Sequence, residues 1–167
     1  MTIDRFVTEQ GLEGRIADAL VRRGCDPGLF GQIAEVPVLR SHAVRRLGSY
    51  VTKGGEPVAI RLQFVQEEMR LVETFLHELA HLFDHVTNQQ GKPYRRAHGE
   101  GWRQWAQALQ IAPELCGDSE ALRQLHIDRL KVVAVCKRCG FELKRLRRLP
   151  RRRRYSHVDC GGTFRPC

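Results

Sequence analysis

The chain has 167 residues, 42% hydrophobic and 28% charged, enough for one ordinary domain with a real core plus a small appendage. No apolar run approaches the roughly eighteen residues of a membrane span, and no long apolar stretch follows the opening Met-Thr-Ile-Asp-Arg-Phe, so neither a membrane helix nor a secretory signal is expected. The formal charge is +9 and unevenly placed: residues 129–154 hold 12 of the 28 basic residues and one acid, Glu142, leaving a nearly neutral body.

Leu12, Ile16, Ala19 and Leu20 share one helical face, which predicts a helix over 12–23 with Gly24 as its stop. Asp26-Pro27-Gly28 marks a turn. Val36, Val38 and Leu39 predict a short strand that Pro37 restricts to a sheet edge. Val58, Ile60, Leu62 and Phe64 alternate at period two, so residues 47–64 read as a hairpin connected through 53–57. These pieces are expected to form one small, mostly antiparallel sheet. Met69, Val72, Leu76, Leu79, Phe83 and Val86 recur at spacings of three and four, the stripe of a long amphipathic helix ended by Gly91 and Pro93. A second helix is expected from near His98, with Trp102, Trp105, Ala106 and Leu109 inward and Pro113 beyond its end. A third runs from Asp118, a good N-cap residue, to about Arg129. After Lys131 the chain turns to strand-like pieces, Cys-Gly turns and arginines. The expected fold class is therefore α+β, with a body over 1–130 and a basic module over 131–167.

The long helix contains His77-Glu78-Leu79-Ala80-His81. Residues four apart on a helix share a face, so both imidazoles can grip one ion, with Glu78 a step around to act as general base toward a water. Zinc suits this set, because it takes imidazole ligands tetrahedrally and leaves a position open. Chance would place such a motif in a chain of this composition only about 0.02 times. Candidates for the third ligand are His85, His98 and Glu100. His85 continues the same helix and would strain to converge with the other two, so it is assigned to the surface or to an orienting role, as is Asp84. Glu100 follows His81 by a spacing that glutamate-ligated zinc peptidases use. His98 heads the next helix in His98-Gly99-Glu100-Gly101-Trp102, where a tryptophan four residues on can hold it. Tyr94 and Tyr50 are the candidates for steadying an oxyanion.

The six cysteines are Cys25, Cys116, Cys136, Cys139, Cys160 and Cys167. Clustered thiols without an export signal read as metal ligands in a reducing compartment. Cys136-Lys137-Arg138-Cys139-Gly140 and His157-Val158-Asp159-Cys160-Gly161 share one form, ligand-x-x-ligand-Gly, predicting a closed structural zinc site of three cysteines and His157. Cys167 remains an alternative fourth ligand. Cys25 and Cys116 read as ordinary small buried residues.

The spacing HELAH-x16-H with tryptophan four residues after that histidine resembles the SprT-like family, which combines HExxH with a histidine in an HGxxF/W context and, in many members, a C-terminal zinc ribbon. The hairpin before the helix and the ribbon after it are similar too, so the resemblance spans roughly residues 40–165. The stretch HELAHLFDHVT departs from the metzincin pattern, which needs glycine at position 84 and histidine at 87. The resemblance implies a zincin-like, minigluzincin-type body and His98 as third ligand. It also implies zinc-dependent cleavage of proteins bound or crosslinked to DNA. The family usually has cysteine at both positions of the second knuckle, so His157 is a departure.

Between the knuckles, Lys144, Arg145, Arg147, Arg148 and Arg151, Arg152, Arg153 and Arg154, with Lys137 and Arg138, form a single-sign run denser than solubility needs. Such a run is expected to hold nucleic acid, most simply DNA, through phosphates and with little sequence preference. The expected protein is thus a metalloendopeptidase with one catalytic and one structural zinc, cytoplasmic and DNA-associated (nuclear if eukaryotic), acting on protein substrates and not at membranes. Two other readings stand beside it: a nucleic-acid-binding adaptor without peptidase activity, and a zinc hydrolase of a non-peptide bond.

Overall fold

The computed structural model describes residues 1–89, 91–95, 97–112, 118–150 and 152–167. Arg96, Pro113, Cys116 and Arg151 lie outside the described residues. The architecture is mixed α/β, with small sheets and, among the described residues, six helices, and it divides into two compact units, Met1–Leu122 and Arg123–Cys167. No helix among the described residues is long and apolar enough to cross a membrane.

The first unit opens with α1 (Ile3–Glu9), capped by the Thr2 hydroxyl, which accepts from the Arg5 amide at 3.3 Å. α2 (Glu13–Arg22) buries Ile16, Ala19 and Leu20, the face that the periodicity predicts. α3 (Gly28–Ile33) follows the Asp26-Pro27 turn. The first sheet has the order β1-β3-β2, with β1 (Val38–Arg40), β2 (Gly48–Lys53) and β3 (Glu56–Leu62). The hairpin β2–β3 is antiparallel, but β1 runs parallel to β3, with Val38 opposite Ile60. This sheet is therefore mixed rather than mostly antiparallel. β3 inserts between β1 and β2, a choice of neighbour that no local pattern encodes. β1 is an edge strand, as Pro37 requires, and the N-terminal segment covers that edge, with the Val38 amide bonded to the Met1 carbonyl at 2.8 Å. Val58 leaves the predicted alternation and is 40% exposed. It is the extra residue of a bulge, where Val51 pairs with Ala59 and Thr52 with Pro57.

Helix α4 (Glu68–Asn88) is the spine of this unit. Leu76, Leu79 and Phe83 are fully buried, whereas Met69, in the first turn, is 79% exposed. α5 (Glu100–Ala108) lays Trp102, Trp105 and Ala106 against it, and Phe83 stacks on Trp105 with ring centroids 4.5 Å apart. The C-terminal carbonyls of α5 are taken up by α2: Arg22 donates to the Ala108 carbonyl, and Arg15 donates to those of Leu109 and Gln110. α6 (Glu120–Asp128) follows.

The second unit is an antiparallel sheet of order β5-β4-β6, made of β4 (Lys131–Cys136), β5 (Glu142–Arg145) and β6 (Phe164–Pro166). Its core is small: Val133, Ala134 and Leu149, with Leu143, Tyr155 and Phe164 partly buried around them.

The β2–β3 turn supports the segment after α4. A Cβ on Gly55, whose φ is +89°, would lie 2.9 Å from the Gly91 carbonyl carbon and 3.0 Å from the Lys92 amide, whereas one on Gly54 (φ +63°) would meet open space. Gly55→Ala is expected to destabilise the protein by about 1–3 kcal/mol, and Gly54→Ala by distinctly less, read from urea midpoints.

Candidate metal centres

Two groups of side chains among the described residues are gathered closely enough to hold a metal ion: His77, His81 and His98 in the first unit, and Cys136, Cys139, His157 and Cys160 in the second.

In the first group, the helical spacing of four brings the Nε2 atoms of His77 and His81 to 3.3 Å. His98 Nε2 lies 3.0 Å from that of His77 and 3.2 Å from that of His81. The nitrogens thus form a nearly equilateral triangle with edges close to the about 3.3 Å that tetrahedral zinc–imidazole bonds imply. His98 does not begin α5. The helix starts at Glu100 with Gly99 as its N-cap, and His98 stands just before it in the left-handed region, at φ +62°. A non-glycine residue holds that conformation only where its surroundings impose it. Here the ring is set edge-on against Trp102, at 4.6 Å between centroids. Burial lowers the pKa of His77 to about 4 and of His81 to about 3, with the neighbouring histidines adding to the shift; burial lowers His98 as well. All three are neutral imidazoles with lone pairs to offer at pH 7.

A hydrogen-bond chain fixes which nitrogen His81 offers. Its Nδ1–H donates to the Tyr94 hydroxyl at 2.9 Å, and that hydroxyl donates to Asp84 Oδ2 at 3.0 Å. Asp84 Oδ1 accepts from Asn88 at 2.8 Å. Asp84 thus reaches His81 through Tyr94 rather than directly. Tyr94 is correspondingly engaged, and Tyr50 Oη lies 2.6 Å from His85 Nδ1, so neither hydroxyl is a free oxyanion donor. His85 is not at the surface: it is 1% exposed, and its Nε2 bonds the Lys92 carbonyl at 3.0 Å. Glu100 is exposed, accepts from Gln104, and stays outside the group.

Glu78 is 7% exposed and accepts from the Tyr50 amide at 2.7 Å. Burial raises its carboxyl to about pKa 7 against the pull of that amide, which is the range a general base needs near neutral pH. Two glycines that sequence reading passes over make this arrangement fit. A Cβ on Gly48 would lie 2.6 Å from Thr74 Cγ2 and 3.0 Å from Glu78 Oε1, so only glycine lets β2 approach α4 there. A Cβ on Gly101 would overlap Asp84 Oδ1, which explains the second glycine of the HGEGW stretch. The three histidines and Glu78 open into a cavity of about 1000 Å³.

In the second group, Cys139 Sγ and Cys160 Sγ lie 3.2 and 3.3 Å from His157 Nδ1, and Cys160 Sγ lies 3.5 Å from both other sulfurs. The knuckles match. Gly140 at φ +75° and Gly161 at φ +68° turn back so that their amides reach the carbonyls of Cys136 and His157. Amide donation, first from Cys139, lowers the Cys136 thiol to about pKa 6, toward the thiolate that binds metal. His157 Nε2 faces Asp159 at 3.2 Å, which leaves Nδ1 for the group, and Phe141 stacks on the ring at 4.5 Å. Cys167 is exposed and stays outside the group, while Cys25 is half-buried against the first core. Lys137, Arg138, Lys144, Arg145, Arg147, Arg148, Arg152, Arg153 and Arg154 are all exposed; Arg138 is held against the knuckle by the Cys160 carbonyl.

A family model described as the SprT-like family matches residues 30–124, more than half of the chain. The chain belongs to the SprT-like family. The matched stretch contains the histidine trio and Glu78, so the SprT-like body is a zinc-associated, metallopeptidase-like domain; the cysteine-rich unit lies beyond the match. No curated protein and no solved structure matches this SprT-like chain.

Tyr94→Phe keeps the ring but removes the acceptor for His81 Nδ1–H. The affinity of the histidine trio for added zinc, measured by chelator competition, is expected to fall about 10- to 100-fold, and that of the cysteine–histidine group to stay unchanged.

Proposed function

We propose that the protein is a zinc-dependent metalloendopeptidase with a zincin-like, minigluzincin-type body, and that its ribbon tethers it to DNA so that it cuts DNA-bound or DNA-crosslinked proteins. The observation that carries this reading is the convergence of three neutral imidazole nitrogens beside a buried carboxyl of near-neutral pKa in an open cavity. His77, His81 and His98 are the residues that would hold the catalytic zinc; the equal spacing of their nitrogens fits that ion. Zinc bound there would polarise the substrate carbonyl and lower the pKa of water toward neutrality. Glu78, held by the Tyr50 amide, takes the proton of the attacking water and delivers it to the leaving nitrogen. A carboxyl buried and aimed in this way is of no use to a purely structural metal site, which weighs against an adaptor.

In the second unit, Cys136, Cys139, His157 and Cys160 would hold a structural zinc. The few apolar side chains packed there make too small a core for independent folding, so the ion would supply folding free energy. The exposed basic residues between the knuckles would bind phosphates with little base readout.

Glu78→Gln is expected to retain zinc and fold while peptide hydrolysis falls about 10²- to 10⁴-fold; near-normal hydrolysis by the zinc-loaded variant rejects the mechanism. Replacing Arg152, Arg153 and Arg154 by alanine should weaken DNA binding and flatten its salt dependence by about 0.7–0.9 of slope for each phosphate that is no longer neutralised. Cleavage of a DNA-bound protein should then fall more than cleavage of a short free peptide, measured side by side.

A further inference from the structure

The cavity beside the histidines carries a charge that neither metal binding nor the ribbon requires. Among the described residues, four guanidinium groups line it, those of Arg15, Arg45, Arg46 and Arg70, against one carboxylate besides Glu78, that of Glu73. Arg70 and Glu73 pair with each other at 2.7 Å. Arg15 is pinned in the wall by the carbonyls of Leu109 and Gln110, each at 2.7 Å, which fixes its position without neutralising its charge. Arg45 and Arg46 are exposed and have no partner among the described residues. They precede β2, an edge strand whose Gly48–Tyr50 stretch lines the same cavity and supplies the amide that holds Glu78. Among the described residues the arginines of this wall therefore outnumber its carboxylates, although Glu73 faces Arg15 as well as Arg70. In a cleft with low-dielectric walls, single-sign charge is focused on whatever enters.

We propose that Arg15, Arg45 and Arg46 form a specificity rim that favours substrate segments carrying acidic side chains and rejects lysine- and arginine-rich ones. The proposal rests on the peptidase reading and names its substrate class. An exposed guanidinium offers a carboxylate a planar two-pronged donor, whereas a cationic segment meets like charge there. Tether and rim then divide the work. A DNA-bound protein keeps its basic surface against the phosphates, and the rim takes the acidic segments left accessible. The same repulsion protects the chain from itself. Residues 129–154, with 12 basic residues and one acid, would otherwise be a cleavable strand held at high local concentration. A phosphodiester strand would also be drawn to these arginines. The cavity, however, holds Glu78 and the open edge of β2, where a peptide must lie to be cut.

The test uses the full-length, zinc-loaded protein and peptides that differ only in Glu, Gln or Lys beside one scissile bond. At low salt the Glu peptide should exceed the Lys peptide in kcat/KM by about tenfold, a ratio that shrinks as salt rises. In the Arg45→Ala, Arg46→Ala double variant the ratio should collapse toward one. In Arg45→Glu, Arg46→Glu it should invert, with self-cleavage appearing within residues 129–154. Fluorescence anisotropy of the same labelled peptides on zinc-loaded Glu78→Gln gives the preference without turnover. An acid preference in binding with no cleavage by the parent upholds the rim and removes the peptidase reading. Cleavage with no preference, or with preference for lysine, overturns the rim and leaves that reading standing. If the double alanine variant loses affinity for a single-stranded oligonucleotide while the peptide ratio is unchanged, the rim belongs to nucleic acid and the proposal is overturned.

Discussion

Helix α4 buries five polar side chains, Thr74, Glu78, His81, Asp84 and His85, and each has at least one partner outside the helix. Leaving any of them unpaired would cost about 1–3 kcal/mol, more for a charged group. The surrounding elements are therefore held to specific distances. Gln66 answers Thr74, the Tyr50 amide answers Glu78, Tyr94 bridges His81 and Asp84, and the Tyr50 hydroxyl and the Lys92 carbonyl hold His85. The loop that delivers His98 is tied down by the same bonds that satisfy the helix. Stability and the histidine geometry are in this sense one requirement.

That requirement explains two glycines. Both β2 and α5 must come closer to α4 than a side chain permits, β2 at Gly48 to reach Glu78 and α5 at Gly101 to close over Asp84. The ribbon obeys a different constraint. It has few buried apolar residues, and Gly162, where a Cβ would lie 2.7 Å from Cys136 Sγ, lets the chain close around the four donors. One unit is held by a hydrophobic core that pairs its polar groups; the other is built around the donors themselves.

The features legible in the sequence are those that local spacing encodes. The period of α4 puts His77 and His81 on one face, and the repeated ligand-x-x-ligand-Gly form locates both knuckles and favours His157 over Cys167. α1 and α3 escape such reading, because seven and six residues are too few for a periodic stripe to stand out. The parallel pairing of β1 with β3, the burial of His85 and the engagement of Tyr94 depend on packing between distant segments. Of the two close-approach glycines, only Gly101 stands in a singled-out motif, and neither closes a turn. Spacing alone misplaces the start of α5, because His98, in a left-handed conformation, belongs to the loop and not to the helix whose period it shares.

The first candidate metal centre is complete only with His98, its one member that does not lie on α4. Elemental analysis of the purified protein after dialysis tests this directly. Two zinc ions per chain in the parent and one in His98→Ala, with the fold retained by circular dichroism, is the predicted result. A parent with a single zinc, or a His98→Ala variant that holds two as tightly as the parent, would contradict it.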